Sequence, residues 1–118
     1  MSKYAYLASP YTGSPELMVA RFHAVKRASS ILLAKRQWIY SPIMHCHQLA
    51  QDHSLPTDFQ FWLDYNHAMI ESAENTIVLG IDGWNLSKGV AEEILFTKSL
   101  DKNVELIDGN TCEFVKWL

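Results

Sequence analysis

Cysteine is scarce in this chain. Cys46 and Cys112 are the only two, they lie far apart, and neither belongs to a C-x-x-C. That excludes the cysteine framework of a small secreted scaffold. Basic runs are missing as well, and the formal net charge is −3. A protein that grips a nucleic-acid backbone carries a basic footprint, so no nucleic-acid polymer is expected as a partner. A small free anion is another matter, because one Arg and a few backbone amides suffice to hold it. No apolar stretch approaches the roughly 20 residues of a membrane span. The opening MSKYAYLASP has one Lys and a five-residue apolar run, too short for a signal peptide. The expectation is a soluble, cytoplasmic protein with no membrane partner. G-x-G-x-x-G is absent, so NAD or FAD is not expected as a classical cofactor. Neither paired cysteines nor a helical H-E-x-x-H is present, so no metal is expected, although His45-Cys46-His47 has an H-x-H spacing known in metal sites. No repeat or low-complexity segment appears.

What remains is the composition of one globular domain, residues 1–118, with 48% apolar and 19% charged residues. That length buries a core without disulfide or metal staples.

Tyr4 to Ala8 reads as a buried strand, ended by Ser9-Pro10 and followed by the turn Tyr11-Thr12-Gly13. Ser14-Pro15-Glu16 supplies a cap, a proline at the first helical position and an early acid. The helix it opens runs to about Arg36, with Met18, Phe22, Val25, Ala28 and Leu32 on one stripe. Trp38 to Tyr40 is a short strand closed by Ser41-Pro42. Ile43 to Pro56 reads as part helix, part loop. Thr57 and Gln60 fit a capping box for a helix through about Ser72. Asn75 to Leu79 is the clearest strand, Gly80 to Ser87 a loop, Lys88 to Leu100 a helix and Val104 to Ile107 a strand. The tail from Cys112 to Leu118 reads as a short cap, helix or strand.

This β-α-β-α-β-α-β order, with right-handed crossovers, predicts a parallel sheet of four to five strands flanked by helices. The fold class is α/β, small and Rossmann-like (flavodoxin-like). Such sheets bind ligands beyond the carboxyl ends of their strands. The polar, turn-rich clusters fall there: Ser9 to Gly13, Ser41 to His47, and Asp82 to Gly89.

Each cluster admits a plain reading and a functional one. Ser87-Lys88-Gly89 opens a helix, where unpaired amides and the dipole favour an anion. Equally, Ser87 is a helix cap and Glu92 and Glu93 complement the dipole. Tyr11-Thr12-Gly13 is either a simple turn or a loop through which a ligand reaches the backbone. His45 or His47 lines a pocket, or both are ordinary loop residues. Arg21 either meets an anion or points to water. Trp84 stacks on a base or sugar, or fills a subunit contact. The aromatic run Phe59 to His67 serves as core or subunit interface, with Phe59, Phe61 and Trp62 as interface candidates. Asp64 lies off the Trp62–Tyr65–Met69 stripe, and an exposed helical Asp is the plain alternative.

Three segments carry a family resemblance. They are Tyr6-Leu7-Ala8-Ser9-Pro10-Tyr11, Ser72-Ala73-Glu74-Asn75-Thr76-Ile77-Val78-Leu79, and Gly83-Trp84-Asn85-Leu86-Ser87-Lys88-Gly89-Val90-Ala91-Glu92-Glu93. Together they resemble the nucleoside 2-deoxyribosyltransferase superfamily, and more closely a branch of DUF1937 and DUF4406 type, over about Tyr4 to Asp108. The resemblance implies that Glu93, six residues after Ser87, is a nucleophile. It implies that the first loop (Ser9, Pro10, Tyr11, Thr12, Gly13) contacts the sugar or its 5′ substituent. It further implies an Asp before the third strand that handles sugar or base, for which Asp64 is the candidate. Tyr11 would orient the substrate beside it. His45, Asp82, Gly83, Trp84, Ser87 and Gly89 complete the expected substrate contacts. Glu93-Ile94-Leu95 departs from the usual Glu-Leu-Gly, and Gly83-Trp84 is an insertion of the closer branch.

The expected ligand is a nucleoside or nucleoside 5′-monophosphate. The expected activity is N-glycosidic cleavage or transfer through a glycosyl-enzyme, as in retaining glycosidases. A nucleotide-sensing module with the same pocket and no turnover stands as the alternative. A metal-dependent hydrolase using His45 and His47 is a third. A homo-oligomer, dimer or higher, is expected, because a small open sheet leaves apolar helix surface and the superfamily completes its sites across subunits.

Overall fold

A computed structural model describes residues 3–56 and 59–117. Five strands form one sheet in the order β2-β1-β3-β4-β5: β1 Ala5–Ala8, β2 Ile39–Tyr40, β3 Asn75–Gly80, β4 Val104–Asp108 and β5 Phe114–Val115. The first four are parallel, while β5 runs antiparallel to β4. The α/β class and Rossmann-like architecture are as expected. No described helix is long and apolar enough to cross a membrane.

Strand alternation divides the core into two layers. Ala5 and Leu7 of β1 face the same side as Ile77 and Leu79 of β3. There they meet Val25, Ala28 and Leu32 of α1 (Pro15–Ala34) and Ile43 of α2 (Pro42–His53). Tyr6, Ala8 and Val78 face the opposite side. They meet Ile70 of α3 (Phe59–Ser72), Ala73 just past its end, and Val90 of α4 (Lys88–Ser99).

The helix starts follow from local chemistry. Ser14 Oγ accepts from Leu17 N at 3.2 Å, with Pro15 at the first helical position, as the sequence predicts. The same Ser-Pro signal recurs at Ser41-Pro42, and it has the same outcome. Ser41 Oγ accepts from Met44 N at 3.2 Å and opens a continuous twelve-residue helix where mixed structure was expected. That helix stops at Ser54, in the left-handed region at φ 55°. The capping box placed at Thr57 lies outside the described residues. The tail resolves as a strand. Asp108 Oδ1 accepts from the amides of Asn110 (2.7 Å) and Thr111 (2.9 Å), turning the chain so that Phe114 pairs with Ile107. The sheet is therefore mixed rather than wholly parallel.

From β1 the chain crosses to β2 at one side, while β3 lies on the other. The carboxyl ends of β1 and β3 thus flank a topological switch point, where such sheets open a crevice.

Candidate active site

A cavity of about 500 Å³ opens at those strand ends, within the range of small-molecule sites. Its walls come from the loop after β1, from α1 and α2 on one face, and from α3, the loop after β3 and the first turns of α4 on the other.

Glu93 is the most perturbed group on the wall. It sits in the second turn of α4 and is only 8% exposed. Thr97 holds it in place one turn later. Its Oγ1 donates to the Glu93 carbonyl at 2.7 Å and accepts from Thr76 Oγ1 of β3 at 2.7 Å. Both threonines are fully buried, so α4 is bonded to the sheet just below the carboxylate. Tyr6 Oη donates to Glu93 Oε2 at 2.5 Å, and Asn66 Nδ2 of α3 approaches the same oxygen at 3.5 Å. Oε1 has no protein donor among the described residues. Burial pushes the Glu93 carboxyl up to about 7, with the Tyr6 hydrogen bond opposing and the neighbouring Glu92 charge adding to the rise. Burial and the Glu93 charge together raise the Tyr6 phenol well above its ordinary value, so it remains a donor. Glu92 leaves the site: its Oε1 meets His67 Nε2 at 3.0 Å, and the His67 ring stacks on Phe96 at 3.7 Å.

Opposite features belong to the first loop. Arg21 Nη1 donates to the Thr12 carbonyl at 3.0 Å. Its Nη2 lies 2.7 Å from where a Cβ on Gly83 would stand, so the third loop comes this close only as glycine, at φ 90°. Ser87 caps α4 by accepting from Val90 N at 3.2 Å, and Lys88 and Gly89 line the cavity at that helix start. Three polar atoms on cavity residues are shut off from solvent without a partner among the described residues: Ser9 Oγ, Arg21 Nε and Asn66 Oδ1. Orphaned polar atoms cost free energy, and all three belong to residues that line this one cavity.

Of the residues expected in the site, the structure brings Ser9, Tyr11, Thr12, Gly83, Ser87, Gly89 and Glu93 to the cavity wall. Others it places elsewhere. Pro10 is buried and does not line the cavity, and Gly13 is exposed, facing Leu17. Asp64 is exposed on α3, and Asn66 two residues on takes the inner position. His45 is exposed between the rings of Tyr40 (5.9 Å) and Tyr65 (6.4 Å). His47, on the buried side of α2, lines the cavity in its stead. Residues two apart point to nearly opposite sides of a helix, so reading this segment as a loop left the two histidines undistinguished. Asp82 is exposed, and Trp84 packs edge-on against Trp117 at 5.6 Å.

Two members were not foreseen. Tyr6 had a signal: a buried tyrosine in a strand core must find a partner for its hydroxyl. Asn66 had a weaker one, as a polar residue one helical turn after Trp62, which also lines the cavity.

Residues 3–108 match the family model described as a domain of unknown function, DUF1937. The chain belongs to the DUF1937 family. No curated protein matches it at a significant level. The match spans the DUF1937 domain from before β1 to the end of β4, and so takes in every cavity-lining residue. Of the described strands and helices, β5 alone falls beyond it.

Proposed function

We propose that this DUF1937 domain cleaves or transfers the N-glycosidic bond of a nucleoside or nucleoside 5′-monophosphate, ribo or deoxy, with Glu93 as nucleophile. The observation that carries the reading is a buried carboxylate at a ligand-sized cavity, with Oε2 held by Tyr6 and Oε1 free of any described protein donor. Oε1 attacks the anomeric carbon as the bond to the base nitrogen breaks, and that nitrogen takes the electron pair. The sugar passes through an oxocarbenium-like state into an ester with Glu93. Water or a second base then displaces the carboxylate at the same carbon, which restores Glu93, and the proton this acceptor gives up balances the one taken up by the departed base nitrogen. A carboxyl titrating at about 7 is substantially ionised in neutral solution and poorly solvated, both of which favour attack. At the other end, Arg21 and the start of α4 offer donors to a 5′-hydroxyl or 5′-phosphate.

One observation favours binding without turnover. The same titration leaves a comparable fraction of Glu93 neutral at pH 7, and a neutral carboxyl donates a hydrogen bond but does not attack. Overnight incubation with nucleosides and 5′-monophosphates, with and without a free second base, separates the two. Base release or exchange that disappears in Glu93→Gln supports the glycosidase or transferase. A thermal shift by an intact ligand, with no release, supports the sensing module. Release retained in full by Glu93→Gln refutes the nucleophile.

A further inference from the structure

His47 is held as though for a purpose that the Glu93 chemistry does not use. Its ring stacks on Phe22 of α1 at a centroid distance of 4.2 Å and an interplanar angle of 22°, and it meets the edge of Tyr11 at 5.6 Å. Its Nδ1 lies 2.5 Å from Tyr11 Oη. Contacts to three elements therefore fix the ring: α2 carries it, α1 supports its face, and the first loop holds one nitrogen. The other nitrogen, Nε2, has no protein partner among the described residues. It is not among the atoms sealed from solvent, and the residue lines the cavity.

The Tyr11 bond determines what Nε2 presents. Burial, with a smaller effect from His23, pushes the His47 imidazolium down, and burial pushes the Tyr11 phenol up. Both groups are thus neutral in neutral solution. A phenol oxygen is a weaker acceptor than an imidazole nitrogen, so the Tyr11 hydroxyl donates and Nδ1 accepts. A neutral imidazole carries one proton, and here it resides on Nε2.

We infer that His47 is the ligand-recognition donor of this cavity, its Nε2–H set by Tyr11 to bond a carbonyl oxygen or unprotonated ring nitrogen of the heterocycle. The identity of the heterocycle rests on the nucleoside reading above, whereas the tautomer does not. The donor is neutral and flanked by aromatic surface, which suits a base edge better than a phosphate. The anionic end has its own cation in Arg21. His47 thereby determines specificity, and Tyr11 acts as its positioning residue.

Two measurements test this. Long-range ¹H–¹⁵N spectra of the histidine rings in the free protein at neutral pH show His47 as the Nε2–H tautomer, and as a mixture of tautomers in Tyr11→Phe. An Nδ1–H tautomer in the wild type overturns the inference whatever the activity. The second measurement is calorimetric titration of Glu93→Gln with the four common nucleosides and their 5′-monophosphates. His47→Phe weakens binding about tenfold or more, as loss of a buried donor to a ligand acceptor does. His47→Gln, whose amide N–H reaches the same region, restores most of it. Affinities unchanged in His47→Phe, or no binding by any of the eight probes, also overturn the inference. The outcomes separate it from the proposed reaction. Base release that continues unaltered in His47→Phe removes the inference and leaves the glycosidase. Binding that needs His47 but gives no release does the reverse.

Discussion

Replacing Glu93 with Gln should stabilise the folded protein, and by an amount that depends on pH. In the unfolded chain this carboxyl loses its proton near 4.5, whereas in the fold it keeps it up to about 7. Between those values the folded state binds more protons than the unfolded one, so stability falls as pH rises. The loss begins above the unfolded value, grows through the interval and is complete above the folded one. A gap of about 2.5 at roughly 1.4 kcal/mol per pKa unit gives about 3 kcal/mol. Gln keeps the size of the side chain and an acceptor for Tyr6 Oη, but never charges. At about pH 8 Glu93→Gln is therefore expected to be more stable by about 3 kcal/mol, or on the order of 10 °C in melting temperature for a domain of this size. At about pH 4 the two proteins should melt together. Thermal unfolding followed by circular dichroism at several pH values checks this, and other titrating groups cancel in the difference. A melting difference that does not change with pH would refute the account of Glu93 as a carboxylate held ionised against its surroundings. Such a cost at one residue is what a site selected for reactivity rather than stability carries.

Under the proposed mechanism the same titration governs turnover: base release should rise with pH and level off above about 7, and a flat profile across that range would contradict an ionised Glu93 nucleophile. Tyr6→Phe removes a donor that favours the ionised carboxylate, so the rising limb should move to higher pH, with a stability loss of about 1–3 kcal/mol read by urea unfolding. Gly83→Ala puts a methyl group against Arg21 Nη2 at a backbone φ of 90°. It is expected to cost on the order of 1 kcal/mol and to weaken 5′-monophosphates more than nucleosides in a calorimetric titration. Far from the cavity, Lys102 Nζ donates to the carbonyls of Ile70 (3.2 Å), Glu71 (2.6 Å) and Ala73 (2.7 Å), closing the C-terminal end of α3. Lys102→Met should lose about 1–3 kcal/mol in urea unfolding and leave base release unchanged.

The elements with a strong local signature were legible in the sequence. Ser14-Pro15 announced α1, the apolar run to Leu79 announced β3, and Ser87 announced α4, because capping chemistry and hydrophobic periodicity act within a few residues. The segment after Ser41 carried the same capping signal, but its mixed composition hid the helix. Inside the site, Glu93 stood out only through the family resemblance, which places a nucleophile six residues after Ser87. Its partners did not, because Tyr6 and Asn66 lie 87 and 27 residues away and meet it only through the sheet and the α3–α4 packing. Asp64 and His45 illustrate the complementary error. Each lies two residues from a cavity-lining side chain, Asn66 and His47, and on a helix that displacement turns a residue outward.

The pairing of β1 with β3, strands far apart in the chain, brings the two sides of the cavity together. β3 and β4 are joined through α4, with Thr76 opposite Val104, so that unit closes over a short stretch of chain. β1 pairs with β2 through α1 over a similarly short stretch, but its register against β3 sets Ala5 opposite Asn75, and the entropy of closing so long a loop precedes any reward from that pairing. On the ribosome β1 emerges first and pairs with β3 only after α1, β2, α2 and α3 have followed. Tyr6 travels with that strand. The moment β1 docks against β3 is therefore also the moment Glu93 gains its donor, and a chain halted before that step has a divided sheet and an unpartnered carboxyl.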